Sequence, residues 1–576
     1  MNRRGLLAGA AGLALSRPGA AAVGRVRPTD PAWPGADDWE QLNRAVDGHL
    51  IKVKRPSASA DDFHNPYFLR DQPGATQTSG WVDAWMSTPS VYAVAAETTA
   101  HVATAVNFAR DRNLRLVIKG GGHSYLGTSS APDSLLIWTR AMNQIALHDA
   151  FVPHGCDGAA PVPAVSVGAG AIWMHVYDAV TTKAGRYVQG GGCATVGVAG
   201  LVQSGGFGSF SKNYGTAAGS LLEAEIVTAD GGVRIANACS DPELFWGIKG
   251  GGGGSLGVIT RLTLKTHELP DWFGGAFVTI AAASDAAYRR LLGGFLDLYR
   301  NRLFNPYWGE SVAIRSDNTL AISMVSQGLD KGQAEDIWRP FLDWVAASPR
   351  ELAIVGEPRI GSIPARHWWD ADWRRRNLPA TVKSDNRPGA STGDVWWTGD
   401  SGQVGWFLHN YESAWLPAAL LQQQENLADA LFAASRHWSV GLHFNKGLAG
   451  APVEAVTAAR DTATNPAMLD ALALAIIAGS GPSAYMAPPD LAAARRDAGA
   501  ISAAMAELLK LIPNAGAYAS ESSYFQRDWQ RAYWGENYPR LQAVKARYDP
   551  DGLFFVHHGV GSEAWSGDGF VRVTSR

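Results

Sequence analysis

Three clusters of consecutive glycines constrain this 576-residue chain more than any other feature of its sequence. They lie at 120–122, 190–192 and 250–254, and only Lys119 separates the first from the mostly apolar run Leu114–Ile118. Glycines without a Cβ allow several backbone N–H groups to turn toward one point, which suits a pyrophosphate. The 64 glycines are clustered rather than periodic, so they indicate loops around a ligand and not a collagen-like chain.

The residues that follow two of these clusters carry reactive groups. His123 comes directly after the first cluster and Cys193 directly after the second. A strand before the first turn would hold the histidine ring on a rigid base beside a bound phosphate group. The alternative interpretations are a surface histidine at an ordinary tight turn and a small buried core cysteine.

The remaining composition is that of an ordinary globular protein. Lys and Arg together number 50 and Asp and Glu number 53, which gives a net charge of −3. No large basic field favours nucleic acid, and no acidic tail is present. The chain is long enough for roughly two or three domains, and its 3 cysteines are too few for a disulfide scaffold.

Hydrophobic periodicity predicts alternating helices and strands as far as residue 268. A helix over Thr99–Asn113, with Thr98 or Thr99 as its N-cap, precedes a buried strand over Leu114–Ile118. No GxGxxG motif follows this strand, which disfavours a Rossmann fold. Residues 24–60 show no period and are predicted to be a linker and an irregular arm. Further elements are predicted as a strand over Ala164–Val167, a helix over Ala171–Ala184 ended by Gly185, a hairpin over Ala224–Ala236, a helix capped by Asp241 and a strand over Leu256–Lys265.

The pattern changes after His267, where helices separate several strands. Helices are predicted over Ser284–Tyr299, with Ser284 as its N-cap, and over Leu416–Ala434. Strands on one sheet with helices covering it form an α+β domain. The strands are predicted over Gly275–Ile280, Leu320–Val325, Val395–Trp397, Gly405–Leu408 and Val440–Phe444.

Four motifs, in order, carry a resemblance to a known family: Val117–Gly127, Gln189–Gly215, Phe245–Ile259 and Tyr533–Phe554. Together they resemble the berberine bridge enzyme-like oxidases of the vanillyl-alcohol oxidase superfamily, over residues 80–265 and 518–565. The resemblance implies an α+β fold in which a two-subdomain PCMH-type FAD-binding domain carries an inserted α+β substrate (cap) domain over the flavin. The implied boundaries are a signal peptide at 1–30, an N-terminal arm at 31–80, the FAD-binding domain at 81–268, the cap at 269–517 and a C-terminal segment at 518–565 that completes the FAD-binding domain.

The same resemblance implies a covalently bound FAD with two tethers. In the family, a histidine after the glycine turn bonds the 8α-methyl group of the isoalloxazine ring and a cysteine bonds its C6 atom, which points to His123 and Cys193. Ala194 departs from the proline that is usual in the family. The other implied cofactor-binding residues are Lys119, Gly120, Gly121, Gly122, Ser124, Val196, Gly197, Gly200, Phe207, Ile259 and Asn537.

The catalytic base is implied less directly. Many relatives have Tyr-x-Asn-Tyr where this chain has Tyr-Ala-Ser-Glu at 518–521, so Glu521 takes the place of a tyrosine that often serves as base. On a strand returning beneath the cap, Glu521 would accept the hydroxyl proton of the substrate, or else it would pair with Arg527 or Arg531. Tyr125, just beyond the histidine, is the second catalytic candidate.

Further polar residues of the predicted cap are candidates for the substrate pocket. Alternation along the strand Val440–Phe444 and its continuation would place His443 and Asn445 on one face and Phe444 and Lys446 on the other. The pair His557-His558 suggests a metal only weakly, because no carboxylate or cysteine stands at ligand spacing, and we expect none. The cap candidates are His409, Tyr411, His443, Asn445 and Lys446.

The N-terminal sequence predicts export. Arg3 and Arg4 precede a short apolar run, which is typical of a twin-arginine signal peptide, although an untargeted tail is the alternative. The protein would then act in the periplasm or outside the cell. If Cys193 holds flavin, Cys156 and Cys239 remain as a pair that could form a disulfide there, a question that the sequence leaves open.

The combined expectations are those of an exported FAD oxidase that dehydrogenates an alcohol, such as a sugar, and reduces O2 to H2O2. The family resemblance associates valine at the position of Val196 with use of O2. The alternatives are an FAD-linked dehydrogenase with another acceptor, an oxidase of alkaloid-like amines, and a flavin-binding protein without turnover, which would not need an aromatic-rich cap. The expected partners are a small-molecule substrate, O2 and the twin-arginine export machinery, with no nucleic acid and no membrane span.

Overall fold

The computed structural model describes residues 24–573, which form three large sheets and the helices that cover them. Residues 1–23, which contain the predicted twin-arginine motif, lie outside the described residues. The α-helices are Ala36–Ala45, Ala60–Phe63, Pro66–Arg70, Thr99–Asp111, Trp173–Tyr177, Val198–Gln203, Ser211–Tyr214, Pro242–Ile248, Asp285–Leu298, Lys331–Ala346, Ala371–Asn377, Gln424–Ser435, Val453–Arg460, Leu491–Leu511, Trp529–Trp534 and Tyr538–Tyr548.

The first sheet carries the glycine turn before His123. Its predicted helix is confirmed as Thr99–Asp111, and Thr98 is the N-cap because its hydroxyl accepts a hydrogen bond from the His101 N–H at 3.2 Å. The apolar face of this helix is buried against the parallel strands. In spatial order the strands are Leu50–Lys52, Tyr92–Ala95, Ser134–Trp138 and Arg115–Lys119.

Residues 24–60 are not the irregular arm that was predicted. The helix Ala36–Ala45 buries Trp39 and Leu42, and the strand Leu50–Lys52 pairs antiparallel with Tyr92–Ala95. Sequence periodicity misses both elements, because few apolar side chains mark the helix and a three-residue strand is too short to show alternation.

The second sheet is antiparallel. The loop that holds Cys193 follows its strand Arg186–Val188, and the loop that holds the third glycine cluster precedes its strand Val258–Glu268. The predicted hairpin is confirmed, with Gly231 at φ +75° and the Gly232 N–H donating to Asp230 Oδ1 at 3.0 Å. Its strands in spatial order are Val233–Asn237, Leu221–Val227, Val258–Glu268, Val162–Gly168 and Ile145–Phe151, with Arg186–Val188 paired to the end of Val258–Glu268.

Two helices near this sheet differ from their predicted form. Asp241 precedes the helix Pro242–Ile248 but its side chain does not cap it, because its backbone is left-handed and its Oδ1 accepts a hydrogen bond from the Tyr548 hydroxyl at 2.9 Å. The helix predicted over Ala171–Ala184 is a short α-helix that continues as a π-helix over Asp178–Lys183. Gly185 follows at φ +68°, so the prediction that this glycine ends the helix is confirmed.

The third sheet, here called the cap sheet, has nine strands. Alternation along the strand Trp272–Ala282 turns Ala276 and Val278 toward the covering helices and Phe277 toward the first two sheets. Ser284 caps the helix Asp285–Leu298 as predicted, by accepting from the Ala287 N–H at 3.2 Å. In spatial order the strands are Leu352–Pro364, Trp272–Ala282, Thr319–Gln327, Trp308–Ile314, Val440–His443, Ala471–Gly481, Phe407–Pro417, Gly80–Trp81 and Trp85–Met86.

Two features of the cap sheet were not predicted. Its last two strands come from residues 80–86, and Gly80–Trp81 lies parallel to Phe407–Pro417. The helix predicted over Leu416–Ala434 begins only at Gln424, because residues as far as Pro417 continue the strand and 418–422 form a 3₁₀ turn.

After Leu511 the chain returns to the first two sheets. Phe554 forms a bridge with Leu116 of the first sheet. The buried Lys545 ammonium donates to the carbonyls of Ser255 and Phe554 at 2.6 and 2.7 Å, which holds the motif Tyr533–Phe554 against the loop after the third glycine cluster. Glu521 lies in a turn and not on the predicted strand, since its N–H donates to the Tyr518 carbonyl at 2.9 Å.

Cys156 and Cys239, whose pairing could not be decided from the sequence, form a disulfide with a Cα–Cα distance of 5.4 Å. This bond joins the loop before Val162–Gly168 to the loop after Val233–Asn237. Within residues 24–573, none of the helices combines the length and the apolar character that crossing a bilayer requires.

Candidate active site

A cleft of about 1700 Å³ lies between the glycine turns of the first two sheets and one face of the cap sheet. This volume exceeds the roughly 300–1,000 Å³ of a site for one drug-sized molecule. Residues from all three glycine clusters line one wall, and cap residues such as Phe277, Ser311 and His443 line the other. The cleft can therefore hold an elongated cofactor together with a second molecule.

The first glycine turn packs directly against the loop that follows Cys193. A Cβ on Gly121 would lie 2.6 Å from the Gly197 nitrogen and 2.8 Å from the Thr195 carbonyl oxygen, so only glycine fits there. The His123 Nε2 atom lies 2.9 Å from Thr195 Oγ1. The close approach of the two loops places His123 and Cys193 on the same wall of the cleft.

The other glycines leave the space that a dinucleotide needs. A Cβ on Gly200 would meet no protein atom within 4 Å, and one on Gly253 would approach nothing closer than 3.8 Å, although both residues line the cleft. The Ser255 Oγ and His558 Nδ1 atoms are buried there without a hydrogen-bond partner among residues 24–573. Open glycine walls with unsatisfied polar atoms fit an elongated, polar cofactor such as FAD.

Most of the predicted cofactor-binding residues line this cleft, but two do not. The Lys119 ammonium turns away and donates to the backbone carbonyls of Gln72, at 2.6 Å, and Ala75. The Asn537 amide donates to the Thr464 carbonyl at 2.9 Å. These two side chains therefore do not line the cleft, and the binding of FAD by these residues stays a prediction. The residues that do line the cleft are His123, Cys193, Gly120, Gly121, Gly122, Ser124, Val196, Gly197, Gly200, Phe207 and Ile259.

The two predicted tethers differ in their electrostatic environment. Burial lowers the pKa of His123 to about 3, which keeps the imidazole neutral. Burial also raises the pKa of the Cys193 thiol well above its usual value, and the neighbouring carboxyl groups of Asp400, Glu310 and Glu521 raise it further. The histidine is thus ready to form a bond, whereas the thiol is held in its protonated form.

Two of these carboxyl groups were not predicted from the sequence. Glu310 lies in the cap strand Trp308–Ile314 with a left-handed backbone, φ +63°, and accepts a hydrogen bond from the Ser209 hydroxyl. Burial raises its pKa. Asp400 lies in the 3₁₀ segment Thr398–Gln403, and burial raises its pKa to about 6. The only signal for Asp400 is its short Gly-Asp-Ser-Gly context, which is more typical of an exposed turn.

Glu521 lines the cleft as predicted, and it has a partner from the cap. Its carboxylate forms an ion pair with the Lys446 ammonium, and neither Arg527 nor Arg531, the predicted alternatives, contacts it. The side chains of Lys446 and Glu521 are 10% and 19% exposed. The pair therefore fixes a carboxylate at one end of the cleft. This end, here called the polar end, is also lined by Tyr125, Tyr411 and His443.

Aromatic and imidazole groups surround this end of the cleft. The rings of Tyr125 and Tyr411 stack with centroids 4.9 Å apart. Burial, together with the Glu521 carboxylate, raises the pKa of Tyr125 well above its usual value, so its hydroxyl is a hydrogen-bond donor at neutral pH. Burial and the nearby Lys446 lower the pKa of His443, which is therefore neutral.

The predicted alternation beyond His443 is wrong. The strand ends at this residue, and a 3₁₀ turn over Phe444–Lys446 brings both Asn445 and Lys446 to the cleft while Phe444 enters the cap core. His409 does not line the cleft, because its Nδ1 lies 2.8 Å from Asp497 Oδ2 outside it.

His557 and His558 lie at another part of the cleft. Their rings stack with centroids 3.8 Å apart, and His557 also stacks on Tyr524 at 3.7 Å. His557 Nε2 lies 2.8 Å from the Tyr524 carbonyl oxygen, which fixes this ring. Between residues 24 and 573 no group of three or more His, Cys, Asp or Glu side chains is arranged to hold a metal ion.

Comparison with known proteins agrees with this architecture. A family model for an FAD binding domain matches residues 90–237, and a model described as berberine and berberine like matches residues 505–561. The FAD-linked oxidoreductase easE of Trichophyton verrucosum is 30% identical over 594 residues, which cover 94% of this chain and 91% of that protein.

Solved structures share the whole fold. The VAO-type flavoprotein MtVAO615 from Myceliophthora thermophila C1 is 26% identical, with a TM-score of 0.76 over 96% of this chain and 100% of that chain. The glucooligosaccharide oxidase from Acremonium strictum, which carries a 6-S-cysteinyl, 8α-N1-histidyl FAD, is 18% identical, with a TM-score of 0.63 over 90% of this chain and 99% of that chain.

The fold and the cleft define a flavin-dependent oxidoreductase in which a PCMH-type FAD-binding domain carries an α+β cap. More specifically, the chain belongs to the berberine bridge enzyme-like family of FAD-linked oxidoreductases, within the vanillyl-alcohol oxidase superfamily.

Proposed function

We propose that the protein is an exported FAD-dependent oxidase that converts a CH–OH group of its substrate to a carbonyl and passes the electrons to O2, which becomes H2O2. The observation that carries this proposal is the placement of Glu521, Lys446 and Tyr125 together in the cleft, where Glu521 and Tyr125 lie near Cys193. An alcohol oxidation needs a base and a hydrogen-bond donor for the substrate oxygen at that place.

His123 and Cys193 are proposed to hold the FAD covalently. Their position on one wall of the cleft supports this, as does the doubly linked FAD of the glucooligosaccharide oxidase that shares the fold. When bound, FAD would accept the hydride from the substrate carbon and deliver the electrons to O2. Val196 lines the cleft, and its small side chain supports access for O2.

The chain's own residues would manage the proton and the position of the substrate. Glu521, held by Lys446, would accept the proton of the substrate hydroxyl, and the Tyr125 hydroxyl would donate a hydrogen bond to the same oxygen. Tyr411, stacked on Tyr125, would limit the entry of water. His443 is neutral and has a lowered pKa, which makes it a weaker base than a carboxylate.

A row of cross-strand neighbours leads from the edge of the cap sheet to this polar end. Phe277 pairs with Arg359 on one side and Ser323 on the other, and Ser323 is followed across the sheet by Ser311 and His443. All five line the cleft, and Arg359 is at the exposed edge strand. Hydroxyl and aromatic groups in one row support a substrate that is extended and carries several polar groups, such as a sugar.

Export is part of the proposal. The disulfide between Cys156 and Cys239 supports an oxidising location outside the cytoplasm, where such bonds persist. The twin arginines at positions 3 and 4 supply the corresponding export signal.

The proposal is tested by mixing the purified holoprotein anaerobically with sugars, aliphatic and aromatic alcohols, and amines. Bleaching of the flavin absorbance by an alcohol, its return on admission of air, and formation of one H2O2 for each substrate oxidised are the expected results. Bleaching without reoxidation in air would identify a dehydrogenase with another acceptor, and bleaching by amines alone would reject the alcohol assignment.

A further inference from the structure

The Cys193 thiol lies in an environment that opposes its own reaction. Burial and three carboxyl groups raise its pKa well above its usual value. The thiolate and not the thiol is the nucleophile, so a bond from Cys193 to the flavin requires that a nearby group take the Sγ proton.

Only one of the three carboxyl groups near the thiol is free to take this proton. Glu310 accepts a hydrogen bond from Ser209, and Glu521 is paired with Lys446. The Oδ2 atom of Asp400, by contrast, is shielded from solvent and has no hydrogen-bond partner in the part of the chain that the structure describes.

The structure also explains how Asp400 is brought to the thiol. The indole N–H of Trp397 donates to the Gly192 carbonyl at 2.9 Å, which fixes the residue next to Cys193 in sequence. The segment Thr398–Gln403, which carries Asp400, begins directly after this tryptophan. Trp396 further holds the segment by donating to Ser401 Oγ at 3.3 Å. Asp400 and Cys193 line the cleft together, and they share a small side cavity with His123.

We propose that Asp400 is the base that enables Cys193 to bond C6 of the flavin, so that the second tether forms only when this carboxyl group faces the thiol. The inference rests on the proposed attachment of FAD through Cys193. In the step, the Sγ–H proton passes to Asp400 and an Sγ–C6 bond forms on the oxidised isoalloxazine ring. The hydrogen originally on C6 leaves as a proton, and its electron pair remains on the ring, which becomes two-electron reduced. O2 then removes two electrons and two protons as H2O2 and restores the oxidised, doubly tethered flavin.

Besides His123, which the test replaces, the other titratable groups around the thiol are Glu310, Glu521, Tyr125 and Tyr411, with Lys446 behind Glu521. The two tyrosines have raised pKa values and remain protonated at neutral pH. Burial raises the pKa of Asp400 to about 6, so it is ionised and able to accept a proton at pH 7 but not at pH 5.

The test uses the His123→Ala background, in which only Cys193 can retain flavin after denaturation. Each variant is purified, incubated with FAD in air at pH 5, 7 and 10, and assayed by intact mass and by flavin fluorescence in a denaturing gel. At pH 7, His123→Ala should acquire covalent flavin. His123→Ala/Asp400→Asn should do so at least about 100-fold more slowly, because a general base usually contributes at least that factor to the rate. His123→Ala/Glu310→Gln should still attach flavin.

Two further measurements separate a base from a structural support. Cys193→Ala/Asp400→Asn should keep flavin through His123, which would show that the asparagine leaves binding intact. Attachment in His123→Ala/Asp400→Asn should recover as the pH is raised to 10, because hydroxide then takes the thiol proton.

Several outcomes would overturn the inference. Attachment in His123→Ala/Asp400→Asn at the rate of His123→Ala would show that Asp400 is not the base, and loss of flavin from Cys193→Ala/Asp400→Asn would reject a role limited to the thiol. Release of all flavin from His123→Ala alone would instead overturn the proposed Cys193 tether, and the inference with it.

Discussion

The ammonium group of Lys446 and the carboxylate of Glu521 form an ion pair that joins the cap sheet to the C-terminal segment inside the cleft. Lys446 ends the 3₁₀ turn Phe444–Lys446 that follows the cap strand Val440–His443, whereas Glu521 lies in the turn that begins at Tyr518. Because both side chains are mostly buried, solvent and salt screen the pair weakly. The cap thereby fixes the position of a carboxylate that belongs to the opposite side of the cleft.

Replacing Glu521 by glutamine should slow reduction of the flavin. Glutamine preserves the shape of the side chain but cannot accept the substrate proton, so the rate should fall by about two to four orders of magnitude. The measurement is anaerobic stopped-flow reduction with the best substrate of the panel. Reoxidation by O2 should change little, because Val196 and its surroundings are untouched.

A matched control for this variant is Glu412→Gln. Glu412 also lies on the cap sheet, but it accepts hydrogen bonds from Asn410 and Ser502 and does not line the cleft. Its substitution should leave the reduction rate within a few-fold. If Glu521→Gln also stays within a few-fold, the base lies elsewhere, and Tyr125 or His443 becomes the next residue to test.

Denaturation of the holoprotein should leave FAD attached to the polypeptide. His123→Ala and Cys193→Ala should each retain one bond, and the double variant should release all flavin on acid precipitation. Intact mass of the denatured chains distinguishes these cases. A wild-type chain with the mass of the polypeptide alone would rule out a covalent cofactor.

The stability of the FAD-free protein should depend on pH through Asp400. Its pKa rises from the ordinary value of 3.8 to about 6 in the folded protein, so the folded chain binds this proton more tightly than the unfolded chain. The contribution of this proton to the free energy of unfolding is present below pH 4 and is lost as the pH rises through about 6. Asp400→Asn should therefore be more stable than the unsubstituted protein at pH 7.5, by up to roughly 3 kcal/mol, and equally stable near pH 4.

Urea unfolding of both FAD-free proteins at pH 4, 6 and 7.5 measures this difference. A difference that stays constant over this range would contradict the burial of an ionised Asp400.

Export should depend on the two N-terminal arginines. Changing Arg3 and Arg4 to lysine keeps the charge but removes the feature that the twin-arginine receptor reads, so the precursor should accumulate in the cytoplasm. Fractionation followed by immunoblotting measures this. Arg110→Lys with Arg112→Lys is the matched control, and normal twin-arginine export of the Arg3 and Arg4 variant would reject the assignment.

Motifs with a local cause were predictable from the sequence. The glycine turns, His123 and Cys193 were found because a backbone that must approach another backbone within the length of a Cβ can contain only glycine, and that requirement is written in consecutive residues. The cap of the helix at Thr98 and the turn at Gly231 were also predictable, because each depends on residues that are close together in the sequence.

Features that depend on the tertiary fold were not predictable. Glu310 and Asp400 look like surface residues in the sequence, because a single carboxyl group in a strand or a glycine-rich turn gives no sign that other elements will cover it. Lys119 and Asn537 stand within recognisable motifs, yet their side chains bond to backbone carbonyls of distant segments. The motif fixed the position of their Cα atoms but not the direction of their side chains.

The pairing of Gly80–Trp81 with Phe407–Pro417 means that the cap is not a transferable module. Two strands of its sheet come from the far side of the FAD-binding domain in sequence, so residues 269–517 alone would expose an unpaired, apolar strand edge and invite aggregation. A chimaera that exchanges substrate preference between relatives therefore has to carry residues 80–86 with the cap. A hinged opening of the cleft would likewise have to break the pairing of Phe407 and Leu408 with Gly80 and Trp81.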